Sequence, residues 1–182
     1  MIIGISGTNG SGKDTAAAYF ETHGFLHLSL SEAIRDALRS EGQPLTKETQ
    51  IAKGLFLRQT YGDSILARRV AEKMLTEHNY VITSIRHPAE AEYFRKLFPD
   101  FLLLYIDADP LIRFQRVKER FSPSFDYSSF LLIDQAAKAN SSASGQQILL
   151  CAKQADFHIL NNGTQAAFTI ALHNILRKIS HS

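Results

Sequence analysis

Apolar residues recur along this chain in two rhythms. Short, nearly unbroken apolar runs occupy Ile2–Ser6, Phe25–Leu28, Tyr80–Ser84, Phe101–Asp107 and Phe157–Leu160. Runs of that length, apolar on both faces, predict strands of a parallel sheet covered on each side. Between them the spacing turns helical. Asp14–Glu21, the stretch around Ile34 to Leu38, and Ser64–His78 read as helices. So does Gln165–Ile179, where Phe168, Leu172, Ile175 and Ile179 form one stripe. Ser29 with Glu32 fits a capping box, and Asp63 fits a cap for the helix from Ser64. Pro88 and Pro110 fit first helical positions, and Gly24 fits the end of the first helix. Ser40–Leu45 and Phe121–Tyr127 read as loops, and Ser141–Gly145 as a further break. Strand and helix alternate from end to end, with no repeat and no long linker. That predicts one three-layer α/β/α domain over residues 1–182.

The first strand runs into Gly7-Thr8-Asn9-Gly10-Ser11-Gly12-Lys13, and a helix follows at once. Strand, glycine-rich loop, lysine and helix in that order form a phosphate-binding P-loop. Glycines let the backbone curl until several N–H groups face one anion. The new helix points its free N–H groups and positive dipole end the same way. Lys13 supplies a mobile charge for the outer phosphates. The motif asks for Ser or Thr next, as a magnesium ligand, but this chain has Asp14 and then Thr15. Asp14 is thereby a candidate magnesium ligand, since a carboxylate is a hard oxygen donor. Two alternatives stand beside it: Asp14 as a charge complement to the helix, and Asp107 as the acid near the metal.

Composition narrows the setting. The 182 residues suffice for one domain with a sizeable core. A net charge of only +2 argues against a broad nucleic-acid surface. No apolar run approaches the ~20 residues of a membrane span, and no secretory signal is visible at the N-terminus. The one cysteine, Cys151, rules out an internal disulfide, fits a buried thiol and suits a reducing cytoplasm. The seven histidines show no metal-ligand spacing.

The arginines narrow the chemistry. Arg86 lies just past the third strand and Arg35 in the helix after the second. In an open parallel sheet the carboxyl ends of the strands line the ligand crevice, so both can face the P-loop. A guanidinium fork suits the phosphate of a second substrate. Surface ion pairs, with Arg35 joined to Asp36 or Glu32, fit the same positions. Arg113, Arg116 and Arg120 share one helical stripe that leads into the Phe121–Tyr127 segment. Arginines carried by a closing lid stabilise charge that spreads during phosphoryl transfer. A solvated helix face fits that stripe as well.

The assembly resembles the P-loop nucleoside monophosphate kinase superfamily over nearly its whole length. Ser29-Leu30-Ser31-Glu32-Ala33-Ile34-Arg35 resembles the segment that places a helix and an arginine on the acceptor phosphate. Val81 to Glu90, with Ser84-Ile85-Arg86-His87-Pro88, is similar to the strand-to-arginine motif of deoxynucleoside monophosphate and phosphomevalonate kinases. Ala155 to Thr164 resembles the last strand and adenine turn of dephospho-CoA kinases. The combination also resembles a kinase-like module found joined to deoxycytidylate deaminases. The resemblance implies a P-loop NTPase fold with a five-stranded parallel sheet in the order 2-3-1-4-5. It implies an acceptor region over about 29–78 and a lid over about 113–130. ATP and magnesium are the implied cofactors, and a small phosphorylated molecule the partner. Gly7, Asn9, Gly10, Ser11, Gly12, Lys13, Asp14 and Thr15 would cradle ATP. Asn161, Gly163 and Thr164 would hold its adenine. Ser31, Arg35 and Arg86 would bind the acceptor, and Lys13, Arg86, Arg116 and Arg120 would act on the transferring group. The acceptor implied is a nucleoside or deoxynucleoside monophosphate, with dephospho-CoA as the alternative. The third strand ends in Thr83-Ser84 where many P-loop enzymes have a metal-binding aspartate. That departure favours a further alternative, a nucleotide-binding regulatory module.

Overall fold

The structure, a computed structural model, describes residues 1–75, 77–118, 125–138 and 144–180. Its strands are β1 (Ile2–Gly7), β2 (Phe25–Ser29), β3 (Asn79–Ile85), β4 (Phe101–Asp107) and β5 (Phe157–Leu160). All pair in parallel, in the order β2-β3-β1-β4-β5. The helices are α1 (Lys13–Glu21), α2 (Leu30–Ser40), α3 (Lys47–Tyr61), α4 (Ile65–Ala71), α5 (Pro88–Leu97), α6 (Pro110–Val117), α7 (Tyr127–Lys138), α8 (Ile148–Gln154) and α9 (Gln165–Ser180).

Alternation along each strand divides the core in two. Ile2, Tyr80, Ile82 and Leu103 face the cluster built with α2, α4 and α5. Ile3, Ile5, Val81, Leu104 and Ile106 face the cluster built with α1 and α9. The stripe read from the sequence of α9 is the face it buries, with Phe168, Leu172, Ile175 and Ile179 in the second cluster. Cys151 is wholly buried, and burial pushes its thiol up to about 12.

Several local expectations need correction. Ser29 stands at the start of α2 but its side chain makes no cap bond. Its hydroxyl instead meets those of Ser31 and Ser84, and Glu32 turns to Arg35 and Arg39. Asp63 does not cap the next helix either: that helix starts after Ser64 and ends at Ala71, short of His78. The capping box forms elsewhere. His87 accepts from Ala89 N, and Glu90 reaches back to His87 N, with Pro88 at the first helical position.

Candidate functional site

The P-loop joins β1 to α1, and its glycines are fixed by space as well as by backbone angle. Gly7 has φ +145°, and a Cβ there would lie 2.0 Å from the Ile106 carbonyl oxygen. Gly12 has φ +105°, and a Cβ would meet the Asn161 side chain at 2.6 Å. A glycine cap offers α1 no side-chain oxygen, so the first N–H groups of the helix are left for an external anion. Ser11 adds a buried hydroxyl with no partner among the described residues.

Lys13 folds back and donates to the Thr8 carbonyl. Burial, and then the nearby Arg86 guanidinium, push its amine down to about 7. Burial likewise pushes Arg86 below the usual guanidinium range. Both side chains line one cavity of about 490 Å³ at the carboxyl ends of β1 and β3. The cavity runs from the P-loop to α2, α3, α7 and the start of α8, and Ser31 and Ser84 stand on its wall. Arg86 donates to Gln146 Oε1 at 3.1 Å. Ser84, at the strand end, is the one non-glycine with positive φ among the described residues, at 66°. A left-handed serine is strained, and its Oγ accepts from Ser29 Oγ at 3.1 Å.

Arg35 is not on this cavity wall. It pairs with Glu32 and lines a smaller cavity with His27, Ser29 and Lys73. The cavity takes a different second arginine, Arg58 of α3, which the sequence reading did not single out. Arg58 is 4% exposed and Glu90 0%. Glu90 Oε1 accepts from Arg58 Nη2 at 2.7 Å, while Oε2 accepts from the backbone N–H groups of Arg86 and His87 at 2.9 and 3.0 Å. A fully buried carboxylate thus fixes the backbone that carries Arg86. The signal in the sequence was Arg58 set among the apolar residues of α3.

The arginine stripe of α6 divides by role. Arg113 is wholly buried and donates to Asp134 of α7, to the Ala108 carbonyl at 2.7 Å and to the Asn9 carbonyl at 3.3 Å. It ties the P-loop to α7 and is a strut, not a lid arginine. Arg116 is exposed and donates to the Asn161 carbonyl at 2.9 Å and the Gly10 carbonyl at 3.5 Å. Arg120 lies outside the described residues, as does most of the loop after it. On the far side of the P-loop, Asn161 donates to the Ser11 carbonyl at 2.9 Å and is 7% exposed. Thr164 caps α9 through Ala167 N, and Gly163 lies just before it. Neither Asn161, Gly163 nor Thr164 lines the large cavity, so the P-loop has two flanks.

Magnesium meets a thin donor set. Among the described residues no three His, Cys, Asp or Glu side chains gather to hold a metal ion. Nucleotide-bound magnesium takes most of its ligands from phosphates and water, with one or two carboxylates. Asp14, exposed in the first turn of α1 and felt electrostatically by Lys13 and Arg86, fits that need. Thr15 beside it is exposed as well. Asp107 is already engaged, accepting from Thr8 Oγ1 and from Ala108 N, with Arg113 Nε 3.5 Å away.

A family model described as "AAA domain" matches residues 3–126. A UPF0200 protein of Pyrococcus abyssi (strain GE5 / Orsay) is 31% identical over 185 residues, covering 98% of this chain and 97% of the relative. Among solved structures, the shikimate kinase from Acinetobacter baumannii in complex with shikimate superimposes with a TM-score of 0.59 at 15% identity, covering 99% of this chain and 93% of that one. A gluconokinase from Sinorhizobium meliloti 1021 gives 0.54 at 16% identity, covering 98% and 93%. At those identities the likeness is one of fold: a P-loop kinase fold.

Proposed function

The chain belongs to the AAA domain family and to the UPF0200 proteins, and from that premise we propose an ATP- and magnesium-dependent kinase for a small phosphorylated acceptor. One observation carries the reading: Lys13 and Arg86 share a cavity wall although burial opposes both charges and Arg86 further opposes that of Lys13. Two phosphoryl groups, one from each substrate, relieve both costs. Residues 7–15 would cradle the ATP phosphates, with Asn161, Gly163 and Thr164 toward the adenine. Arg86 would hold the acceptor phosphate, with Ser31 beside it. Arg35, held by Glu32, would join only if α2 rearranged. Arg116, with Arg120 as its partner in the resemblance, would act on the transferring oxygens. Magnesium would neutralise phosphate charge, with Asp14 holding it directly or through water. Catalysis of this kind is positioning and charge stabilisation, with no strong base required. The resemblance puts (deoxy)nucleoside monophosphates first among acceptors and dephospho-CoA second, in a cytoplasmic setting.

A regulatory module with little turnover is favoured by one feature, the serine end of β3 where a carboxylate is usual. A single assay separates the readings. ADP formation is followed with ATP, magnesium and a panel of nucleoside monophosphates, dephospho-CoA and simple organic phosphates. The kinase reading expects ADP formation to depend on a phosphorylated acceptor. Firm ATP binding with no acceptor-dependent ADP from any member of the panel overturns it in favour of the module.

A further inference from the structure

We propose that the acceptor's body is apolar: the cavity suits a phosphomonoester of a branched aliphatic or aromatic alcohol better than a nucleoside. This rests on the kinase reading and changes only the acceptor. The cavity has two unlike ends. At the P-loop end stand Lys13 and Arg86. Away from it much of the wall is hydrocarbon: Ile34 from α2, Ile51 and Leu55 from α3, Phe130 and Ile133 from α7, and Ile148 from α8. Ile51 and Ile133 line the cavity yet are 49% and 40% exposed, so apolar surface is held open to an occupant.

The polar side chains on that wall each have a partner within the protein. Gln50 donates to the Leu45 carbonyl and Gln146 accepts from Arg86. Ser31 and Ser84 bond each other and Ser29. Arg58 is held by Glu90, and Lys138 and Arg113 both hold Asp134. Lys47 likewise has a partner. A nucleoside would set sugar hydroxyls and a polar base edge against a largely hydrocarbon wall, where each polar group left unpaired costs affinity. A hydrocarbon body asks for no such partner and gains by covering apolar wall. The volume lies within the ~300–1,000 Å³ usual for small-molecule sites.

The chemical step balances with no further reactant. A non-bridging oxygen of the acceptor's phosphate dianion attacks the γ-phosphorus of ATP. The bond from that phosphorus to the β,γ-bridging oxygen breaks, and ADP leaves with the electron pair. The product is the diphosphate ester of the same alcohol, and no proton is released.

The test compares 3-methylbutyl phosphate and benzyl phosphate with AMP, dCMP and UMP, reading ADP by a coupled assay and the diphosphate ester by phosphorus NMR. We expect kcat/KM for the better organic phosphate to exceed that of every nucleotide by at least ~10-fold, the scale on which apolar contacts discriminate. A nucleotide preferred over both organic phosphates overturns the inference and leaves the kinase reading standing. No acceptor-dependent ADP with either group overturns both. The second arm is Ile51→Asn, at a half-exposed position of α3, with its denaturation midpoint measured beside the wild type. It should lower kcat/KM for the organic phosphate about 10-fold while ATP affinity stays within about twofold. An unchanged kcat/KM in that variant overturns the apolar wall as the selector.

Discussion

Lys13 is under opposed demands at the residue scale. It must be charged to meet a phosphate, yet burial and Arg86 hold its amine down to about 7. Bound phosphates raise that pKa again, so above pH 7 nucleotide binding takes up a proton. Affinity is therefore fullest below pH 7 and falls as pH rises, by up to about tenfold per unit until the bound-state pKa is reached. Calorimetry at pH 8 in buffers of different ionisation enthalpy reads the uptake directly. Lys13→Ala should remove both the uptake and the turnover while the fold is kept. Arg86→Ala should weaken the acceptor by about 2–4 kcal/mol and ATP much less; equal losses for both in parallel titrations would speak against its role. Asp14→Asn should raise the magnesium requirement sharply and Asp107→Asn less, because Asp107 is already held by Thr8 and Ala108. An unaltered magnesium curve for Asp14→Asn removes it from the site. At this scale the P-loop was legible because each glycine answers a backbone demand that no other residue meets. Arg58 was not, because nothing local announces that Glu90 lies against it across 32 residues.

Among the elements, α6 shows what a helical stripe does and does not reveal. The spacing of Arg113 and Arg116 placed both on one flank of the helix, but could not say which neighbour each would meet. Asp134 of α7 takes Arg113 wholly into the interior, while Arg116 reaches along the surface to the β5 end. Arg113→Ala should accordingly lower stability by about 3–5 kcal/mol, since among the described residues it leaves the buried Asp134 paired with Lys138 alone. Arg116→Ala should leave the denaturation midpoint nearly unmoved and slow the single-turnover transfer step more than it weakens ATP binding. If that step keeps its rate, Arg116 only joins the P-loop to the β5 turn. The strands were legible to within a residue or two because runs apolar on both faces have few alternatives in an α/β chain. Caps were less so: Ser29 carries the right hydroxyl, but Ser31 and Ser84 compete for it, and that competition exists only in three dimensions.

For the whole molecule, alternation of strand and helix sufficed for a parallel sheet with helices on both sides, whereas the strand order came from the motif resemblance and is the order observed. That order puts β1 in the middle, between strands that arrive much later in the chain. The contact between Asn161 and the Ser11 carbonyl closes the far flank of the P-loop across 150 residues, and the Phe168 ring lies 3.3 Å from where a Gly12 Cβ would be. The consequence is one of timing. A phosphate loop at residues 7–13 cannot take its final shape until β5 and α9 have docked, and closing so long a span is slow. In refolding, helical signal should return before a fluorescent ATP analogue is bound. On the ribosome, nucleotide binding should appear only after residues beyond 168 have emerged, so the loop is made long before it works.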